Sequence, residues 1–349
     1  MVKILDYDYL LPENLIAQVP VVPRDHSRLF IYNTKTDRII FDSFFNLDKY
    51  LPEKSFLVLN NARVVPARVW LKKSTGGKVL TLLLLNEPEK KIVRAMVDRK
   101  VMVGDKLFID ANHFFTVVDQ KEKIFSLKFT FSKKWLLTIL QKIGKTPIPL
   151  YLRKSSLSEK QLREKYQTIF SKKGESVAAP TASLHFTNRV FEKLKNKGIK
   201  KYEVTLNVGL GTFAPIIDEN LTSKKLHEEF FEIDNISLQC IKTLKSEGKK
   251  LVAVGTTVTR TLESFAKLNI KYQKSKILEK TDLFIFPPYD FKMVDILITN
   301  FHLPKSSLMM LVEAFLQHKK AKKSLVELYQ IAIKNNFRFY SFGDAMLIV

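Results

Sequence analysis

The chain has one cysteine, Cys240, among 349 residues, which excludes an internal disulfide and a cysteine metal cluster. No apolar run approaches the roughly 18 to 20 residues of a membrane span; runs such as 82–85 and 308–312 are of core length. The amino terminus, MVKILDYDYLLPENL, carries acidic residues where an export signal has a basic and then an apolar stretch. A cytoplasmic protein without membrane contact is therefore expected. No G-x-G-x-x-G or G-x-x-x-x-G-K-[ST] loop supports a dinucleotide or triphosphate site, and no histidine or acid pair stands at helical ligand spacing with a third partner, so no metal is expected. Internal repeats and low-complexity segments are absent as well.

What the chain has is length, apolar mass and positive charge. It is long enough for two domains, and 46% hydrophobic residues exclude a disordered chain. Lys and Arg number 58 against 35 Asp and Glu, a formal net charge of +23. Such a surface favours a polyanion such as nucleic acid. Of the 58, 46 are lysines scattered along the chain, which lysine-rich codon usage explains equally well.

Arg24-Asp25-His26-Ser27-Arg28 leads into an apolar segment, 29–32, which pairs as a hairpin with 38–41 across a loop of turn residues. Another strand covers 56–59. From 62 to 145 closely spaced strands at 64–70, 79–85, 92–97, 106–109, 114–118 and 124–131, separated by Gly- and Asn-containing turns, predict a small antiparallel barrel. A short helix, 135–142, and a return linker, 144–149, follow. Beyond 150, helix and strand alternate: helix 188–197, strand 202–208, helix 236–247, strand 250–254, helix 257–268, strands 282–286 and 294–299, helices 306–317 and 323–334. That order predicts an α/β fold, a mainly parallel sheet with helices on its faces. The expected division is a discontinuous domain, 1–61 plus 146–349, carrying the barrel 62–145 as an insertion.

Ligands of open α/β sheets gather at the carboxyl ends of strands. Four loops qualify: Gly209-Leu210-Gly211-Thr212, Gly255-Thr256-Thr257, Phe286-Pro287-Pro288-Tyr289 and Asn300-Phe301-His302. The second opens a helix whose free amides suit a carboxylate or sugar oxygen, or is an ordinary capped turn. His185 follows Ala179-Pro180-Thr181-Ala182, where proline breaks regular structure. His227, Glu228 and Glu229 set an imidazole beside two carboxylates, either a proton-transfer group or a solvated acidic patch. Arg260 and Glu263, three apart on one helix, have the spacing of an ion pair. Asp344, in an apolar carboxyl-terminal run, needs a structural partner or a task. Arg24, Arg28, Arg63 and Arg68, and the lysines at 193, 195, 197, 200 and 201, are candidate phosphate contacts or a solubilising face.

These motifs are also familiar together. LPENLIAQVPVVPRDHSRL (11–29), LNNARVVPAR (59–68), AAPTASLHFT (178–187), TLNVGLGTF (205–213), LHEEFFEI (226–233), AVGTTVTRTLES (253–264), DILITNFHLPKSSLMMLVEAF (295–315) and YSFGDAML (340–347) resemble the S-adenosylmethionine:tRNA ribosyltransferase-isomerase family from end to end. The resemblance implies an α/β domain with an inserted β-barrel. It implies transfer and isomerisation of the ribosyl group of S-adenosylmethionine onto the 7-aminomethyl-7-deazaguanine wobble base of tRNA, giving epoxyqueuosine, adenine and methionine. S-adenosylmethionine is then a consumed co-substrate, no further cofactor is needed, and a monomer is expected. On the matching positions, His302 or Glu229 is the candidate base, with His185, Asp344 and His227 as proton donors or positioning groups. Gly209, Gly211, Thr212, Gly255, Thr256, Thr257 and Asn300 are candidates for S-adenosylmethionine, and Arg24, Arg28, Arg63, Arg68 and Arg260 for tRNA. Ser183, Asn207, Glu228 and Pro288 depart from the family pattern, Ser183 by adding a Cβ where glycine is usual. A tRNA-binding scaffold without catalysis is the alternative, and a methyltransferase is disfavoured by the missing glycine-rich signature.

Overall fold

Strands covered on both faces carry apolar side chains in both directions, and β1 (Arg28–Asn33) does so: Leu29 and Ile31 enter one core, Phe30 and Tyr32 the other. The computed structural model describes residues 3–85, 91–209, 216–268 and 276–349. β1 returns as β2 (Arg38–Ser43) across the expected turn, where Asn33 Oδ1 accepts from the amides of Lys35 and Thr36 at 3.1 and 3.0 Å. β3 (Ser55–Asn60) is buried at every position. β4 (Ala62–Val64) stays outside the barrel and pairs with the later segment Lys173–Ser176.

The barrel is built of β5 (Arg68–Lys73), β6 (Lys78–Leu84), β7 (Ile92–Val97), β8 (Lys106–Phe108), β9 (Phe114–Lys121) and β10 (Ile124–Lys128), closed in the order β10-β7-β6-β5-β8-β9 with antiparallel neighbours. Alternation along β5 sends Val69 and Leu71 inward and leaves Trp70 and Lys72 outside. α1 (Lys133–Ile143), capped by Ser132, buries Leu136 and Leu140 against the same apolar cluster. It stops at Gly144, where a Cβ would run into the carbonyl of Pro66. Arg68 and Lys145 then exchange backbone hydrogen bonds of 3.2 and 2.7 Å, so the insertion enters and leaves at one point.

The remainder supplies α2 (Glu159–Lys165), β11 (Lys173–Ser176), α3 (Asn188–Asn196), β12 (Lys200–Asn207), α4 (Asp218–Ser223), β13 (Lys225–Asp234), α5 (Asn235–Ser246), β14 (Lys250–Val254), α6 (Thr256–Lys267), β15 (Lys276–Leu283), β16 (Ile296–Asn300), α7 (Ser307–His318), α8 (Leu325–Lys334) and β17 (Ala345–Ile348). Nine strands form one sheet in the order β15-β13-β12-β3-β14-β16-β17-β1-β2. Its centre, β12-β3-β14-β16, is parallel as expected, whereas β13, β15 and β2 add antiparallel edges and β17 inserts antiparallel to β16. The sheet is thus mixed. Helices α5 to α8 share the core that includes Phe56, Val58 and Ala253; α3 covers the opposite face with Leu57, Val252 and Val254.

Two local expectations shift. The strand expected at 282–286 is β15, ending at Leu283, and 226–233, outside every expected element, belongs to β13. Among the described residues no helix is long and apolar enough to cross a membrane.

Candidate active site

The carboxyl ends of β14 and β16 open onto a cavity of about 410 Å³, within the range of small-ligand sites. β15 runs parallel to β12 because each is antiparallel to β13, so Phe284 and Ile285, just past its end, join the wall. Glu229, midway along β13, faces in from the same edge. Pro180, Thr181 and Ala182 lie across from these, where proline interrupts the chain ahead of a short turn at Thr181–His185.

Gly255 ends β14 with φ +93, a conformation that favours glycine, and turns the chain into α6. No side chain caps that helix, so its first turn presents amides and the positive end of its dipole to the cavity that Thr256 and Thr257 line. One turn along, Arg260 is 8% exposed and forms an ion pair with Glu229, whose other oxygen accepts the Gly209 amide at 3.0 Å. Arg260 Nε donates to the Leu283 carbonyl at 3.1 Å, whereas its Nη2 is buried with no partner among the described residues.

Asn300 is the second unsatisfied group. Its amide nitrogen donates to the Tyr340 carbonyl and to His185 Nε2, both at 3.2 Å, which leaves Oδ1 buried without a partner among the described residues. For Nε2 to accept, His185 carries its proton on Nδ1 and donates it to Ser27 Oγ at 2.8 Å. His302 is held by its backbone: its N–H donates to the Tyr329 hydroxyl at 2.9 Å, and the Tyr9 hydroxyl donates to its carbonyl. Its Nε2 meets Thr299 Oγ1 at 2.8 Å, and Nδ1 has no hydrogen bond among the described residues. Burial pushes the His302 pKa down to about 3, and burial together with the positive Arg338 and Arg24 does the same to His185, so both are neutral.

Of the residues singled out from sequence, Gly255, Thr256, Thr257, Asn300, His302, Glu229 and Arg260 meet at this cavity. Gly209 touches it through Glu229; Gly211 and Thr212 lie outside the described residues. His185 stands behind Asn300 rather than in the wall. Asp344 is 1% exposed, but it accepts the amides of Arg28 at 3.0 Å and Arg338 at 2.8 Å and anchors the carboxyl terminus. His227 is half-buried outside the wall, and Glu228 is exposed and paired with Lys280, because an extended strand spreads neighbours apart instead of gathering them. Glu263 does not pair with Arg260; it accepts the amides of Lys292, Met293 and Val294. The Phe286–Tyr289 loop falls beyond the wall, since the strand before it ends earlier than expected.

Three of the arginines read as tRNA contacts serve the fold. Arg24 donates to the carbonyls of Glu164, Lys165 and Gln167, Arg28 to that of Asn335, and Arg68 to that of Ile148. Arg63 is exposed. Lys193 and Lys197 likewise donate to the carbonyls of Phe45 and Asp48.

The four departures spare the cavity wall. Ser183 does not take a positive φ, so its Cβ is accommodated. Asn207 Oδ1 accepts the Glu175 amide at 3.1 Å and packs on Gly174, where a Cβ would collide with it. Tyr340, which the sequence did not mark as a site residue, lines the cavity at φ +71. A bulky residue held there marks a constrained site, and only coordinates reveal it. Thr299 and Ser27, the partners of the two histidines, lie within the motifs 295–315 and 11–29 but were not singled out as site residues.

The family model described as queuosine biosynthesis protein matches residues 4–348. The chain is 43% identical over 349 residues to the S-adenosylmethionine:tRNA ribosyltransferase-isomerase of Thermosipho melanesiensis, covering 99% of each. It is 44% identical over 350 residues to that of Carboxydothermus hydrogenoformans, covering 99% of this chain and all of the other. Among solved structures, the S-adenosylmethionine tRNA ribosyltransferase of Thermotoga maritima superposes with a TM-score of 0.55 at 34% identity, covering 99% of this chain and 100% of that one.

Proposed function

The chain belongs to the queuosine biosynthesis protein family of S-adenosylmethionine:tRNA ribosyltransferase-isomerases, and from that membership we propose how its cavity carries the reaction. The enzyme moves the ribosyl group of S-adenosylmethionine to tRNA and rearranges it, forming epoxyqueuosine. The acceptor is the aminomethyl group of the 7-deazaguanine wobble base, which leaves its stack to reach the site.

The sulfonium acidifies the ribose 5′ carbon. A base removes that proton to give an ylide; rearrangement breaks the bond to adenine, which departs with a proton. The ring oxygen leaves C4′ and stays on C1′ as an aldehyde; the base-borne amine, giving up a proton, bonds to C4′, the sulfur-bearing C5′ bonds to C1′, and the resulting alkoxide closes the epoxide as the carbon–sulfur bond breaks and methionine leaves. His302 is assigned as the base. Its Nδ1 has no hydrogen bond among the described residues, and with Nε2–H donated to Thr299 Oγ1 that nitrogen carries a lone pair. Burial disfavours imidazolium in the empty cavity, but this transfer moves a proton between two groups inside one cavity and leaves its net charge unchanged.

Arg260 Nη2 and the start of α6 are assigned to the methionine carboxylate, and Asn300 Oδ1 to an N–H of the co-substrate. Glu229 holds Arg260 in place, and His185 holds Asn300. The observation that carries this reading is the pair of buried atoms of opposite character, Arg260 Nη2 and Asn300 Oδ1, that have no partner among the described residues and belong to residues in the wall of one cavity. A ligand with both an anionic and an N–H end satisfies them together. The same reading makes the chain a cytoplasmic monomer.

The test is incubation with S-adenosylmethionine and tRNA carrying the aminomethyl base, following adenine release and the modified nucleoside. Both products are expected. Tight tRNA binding without adenine would instead identify a scaffold that has lost catalysis.

A further inference from the structure

The barrel is far more basic than its share of the chain. Residues 62–145 hold 18 Lys and Arg against 7 Asp and Glu, +11 of the molecule's +23. Strand register concentrates part of this on one outer face. Lys72 of β5 stands directly opposite Lys78 of β6 and, on its other side, Phe108 of β8. Both lysines are exposed and have no acidic partner among the described residues. Trp70, two residues before Lys72 on the same face, is 43% exposed. Phe108 packs against Phe114 at 5.2 Å between ring centres, and Lys106 lies over Phe114 at 4.7 Å.

Like charges directly across a strand pair destabilise a sheet, and an exposed tryptophan adds nothing to the barrel's core. A partner that brings negative charge and flat apolar rings removes both penalties. RNA has both: phosphates for the lysines, and base or sugar faces for the aromatics.

We propose that the outer face of β5, β6, β8 and β9, built on Trp70, Lys72, Lys78 and Lys106, is a docking surface for the tRNA away from its wobble nucleotide. This rests on the reading of tRNA as substrate. It assigns the barrel to affinity and leaves chemistry to the sheet cavity.

The experiment compares the full-length protein with a Lys72→Ala/Lys78→Ala/Lys106→Ala variant, whose folding is checked by circular dichroism and melting. The dissociation constant for tRNA, measured over a salt series, is expected to rise about tenfold. The slope of its logarithm against log salt becomes shallower by about 2 to 3. The kcat at saturating tRNA and the KM for S-adenosylmethionine stay unchanged. In a Trp135→Phe protein Trp70 is the remaining tryptophan, and its emission is expected to be quenched by tRNA and not by S-adenosylmethionine alone. Wild-type affinity and slope in the triple variant overturn the proposal, as does weaker binding with an unchanged slope, which would mean damage rather than lost phosphate contacts. Because tRNA binding is read directly, a protein that binds tRNA through these lysines but releases no adenine would sink the proposed reaction and leave the docking surface standing.

Discussion

Glu229 and Arg260 are both nearly buried, at 2% and 9% side-chain exposure, so the pair is judged by what each leaves behind when the other goes. Removing one partner of a buried pair strands a charge at a cost of about 3 to 5 kcal/mol, whereas removing both is far milder. Glu229→Gln is therefore expected to lower urea-unfolding stability by about 3 kcal/mol, and Glu229→Gln/Arg260→Gln to recover part of that loss while still failing to bind S-adenosylmethionine tightly. Full recovery of binding in the double variant would refute a carboxylate site at Arg260. His302→Ala should lower kcat by about 10² to 10⁴ with the fold intact; near-normal turnover would remove it as the base. The buried histidines also give stability a sign against pH. His185 and His302 stay neutral when folded, their values pushed down to about 3, while the unfolded chain protonates them near the usual value of about 6.5. Their contribution is therefore complete above that unfolded value and is lost as pH falls through it towards the folded one, with a slope of up to about 1.4 kcal/mol per pH unit each. In urea midpoints taken between pH 7 and 4.5, His185→Gln should flatten the slope by about one group's share.

Gly255 belongs to the scale of elements, because it decides where β14 becomes α6. A Cβ there would meet Ala182 Cβ at 3.6 Å and Thr257 Oγ1 at 3.7 Å, ordinary contacts, so the penalty of Gly255→Ala lies in φ +93 and amounts to about 1 to 3 kcal/mol. Relief of that strain has to move the start of α6 and with it Thr256, Thr257 and Arg260. A loss in kcat/KM larger than the loss in stability is expected; proportional losses would show that the turn is not part of the site. The sequence marked this turn well, since glycine between an apolar strand and an amphipathic helix has few other readings. It marked five of the barrel strands for the same reason, each being bounded by turn residues; the first, expected at 64–70, straddles the end of β4 at Val64 and the start of β5 at Arg68, because no Gly- or Asn-containing turn separates them. Elsewhere the local signal misled. Residues 226–233 carry charge in pairs, and a register shift between Lys225 and Glu229 breaks the alternation, so β13 did not read as a strand. β15 is a sheet edge with only Ile277 and Thr281 buried, and its weak pattern drew the expected strand downstream to the apolar Phe284 and Ile285. His185 and Asp344 were visible as polar groups in apolar surroundings. That one backs Asn300 and the other ties two amides is tertiary information.

For the whole molecule, the barrel is an insertion that enters and leaves the chain of the mixed sheet at one point, and we propose that the two are separable. Arg68 and Lys145 face each other as an antiparallel pair, a separation that a two-residue turn spans. Replacing 69–144 by Asn-Gly should therefore leave the mixed sheet able to close on itself. The cut exposes Val177, Val65 and Ala67, which pack on the barrel's cluster, and removes the ion pair of Lys133 with Glu175. Uncovering these side chains costs a few kcal/mol at about 25 cal/mol per Å², less than the total stability of most domains. The expected product is a cooperatively folding protein of lower melting temperature. It should bind S-adenosylmethionine with unchanged affinity in calorimetry, because none of the cavity wall lies within the excised segment. Its affinity for tRNA should fall by at least about tenfold and lose much of its salt dependence, since the excised segment holds 15 Lys and Arg against 7 Asp and Glu, +8 of the net charge. Failure to fold would make the barrel part of one indivisible core. Retained tRNA affinity would return the electrostatics to the sheet domain, where most of the candidate arginines already hold backbone carbonyls.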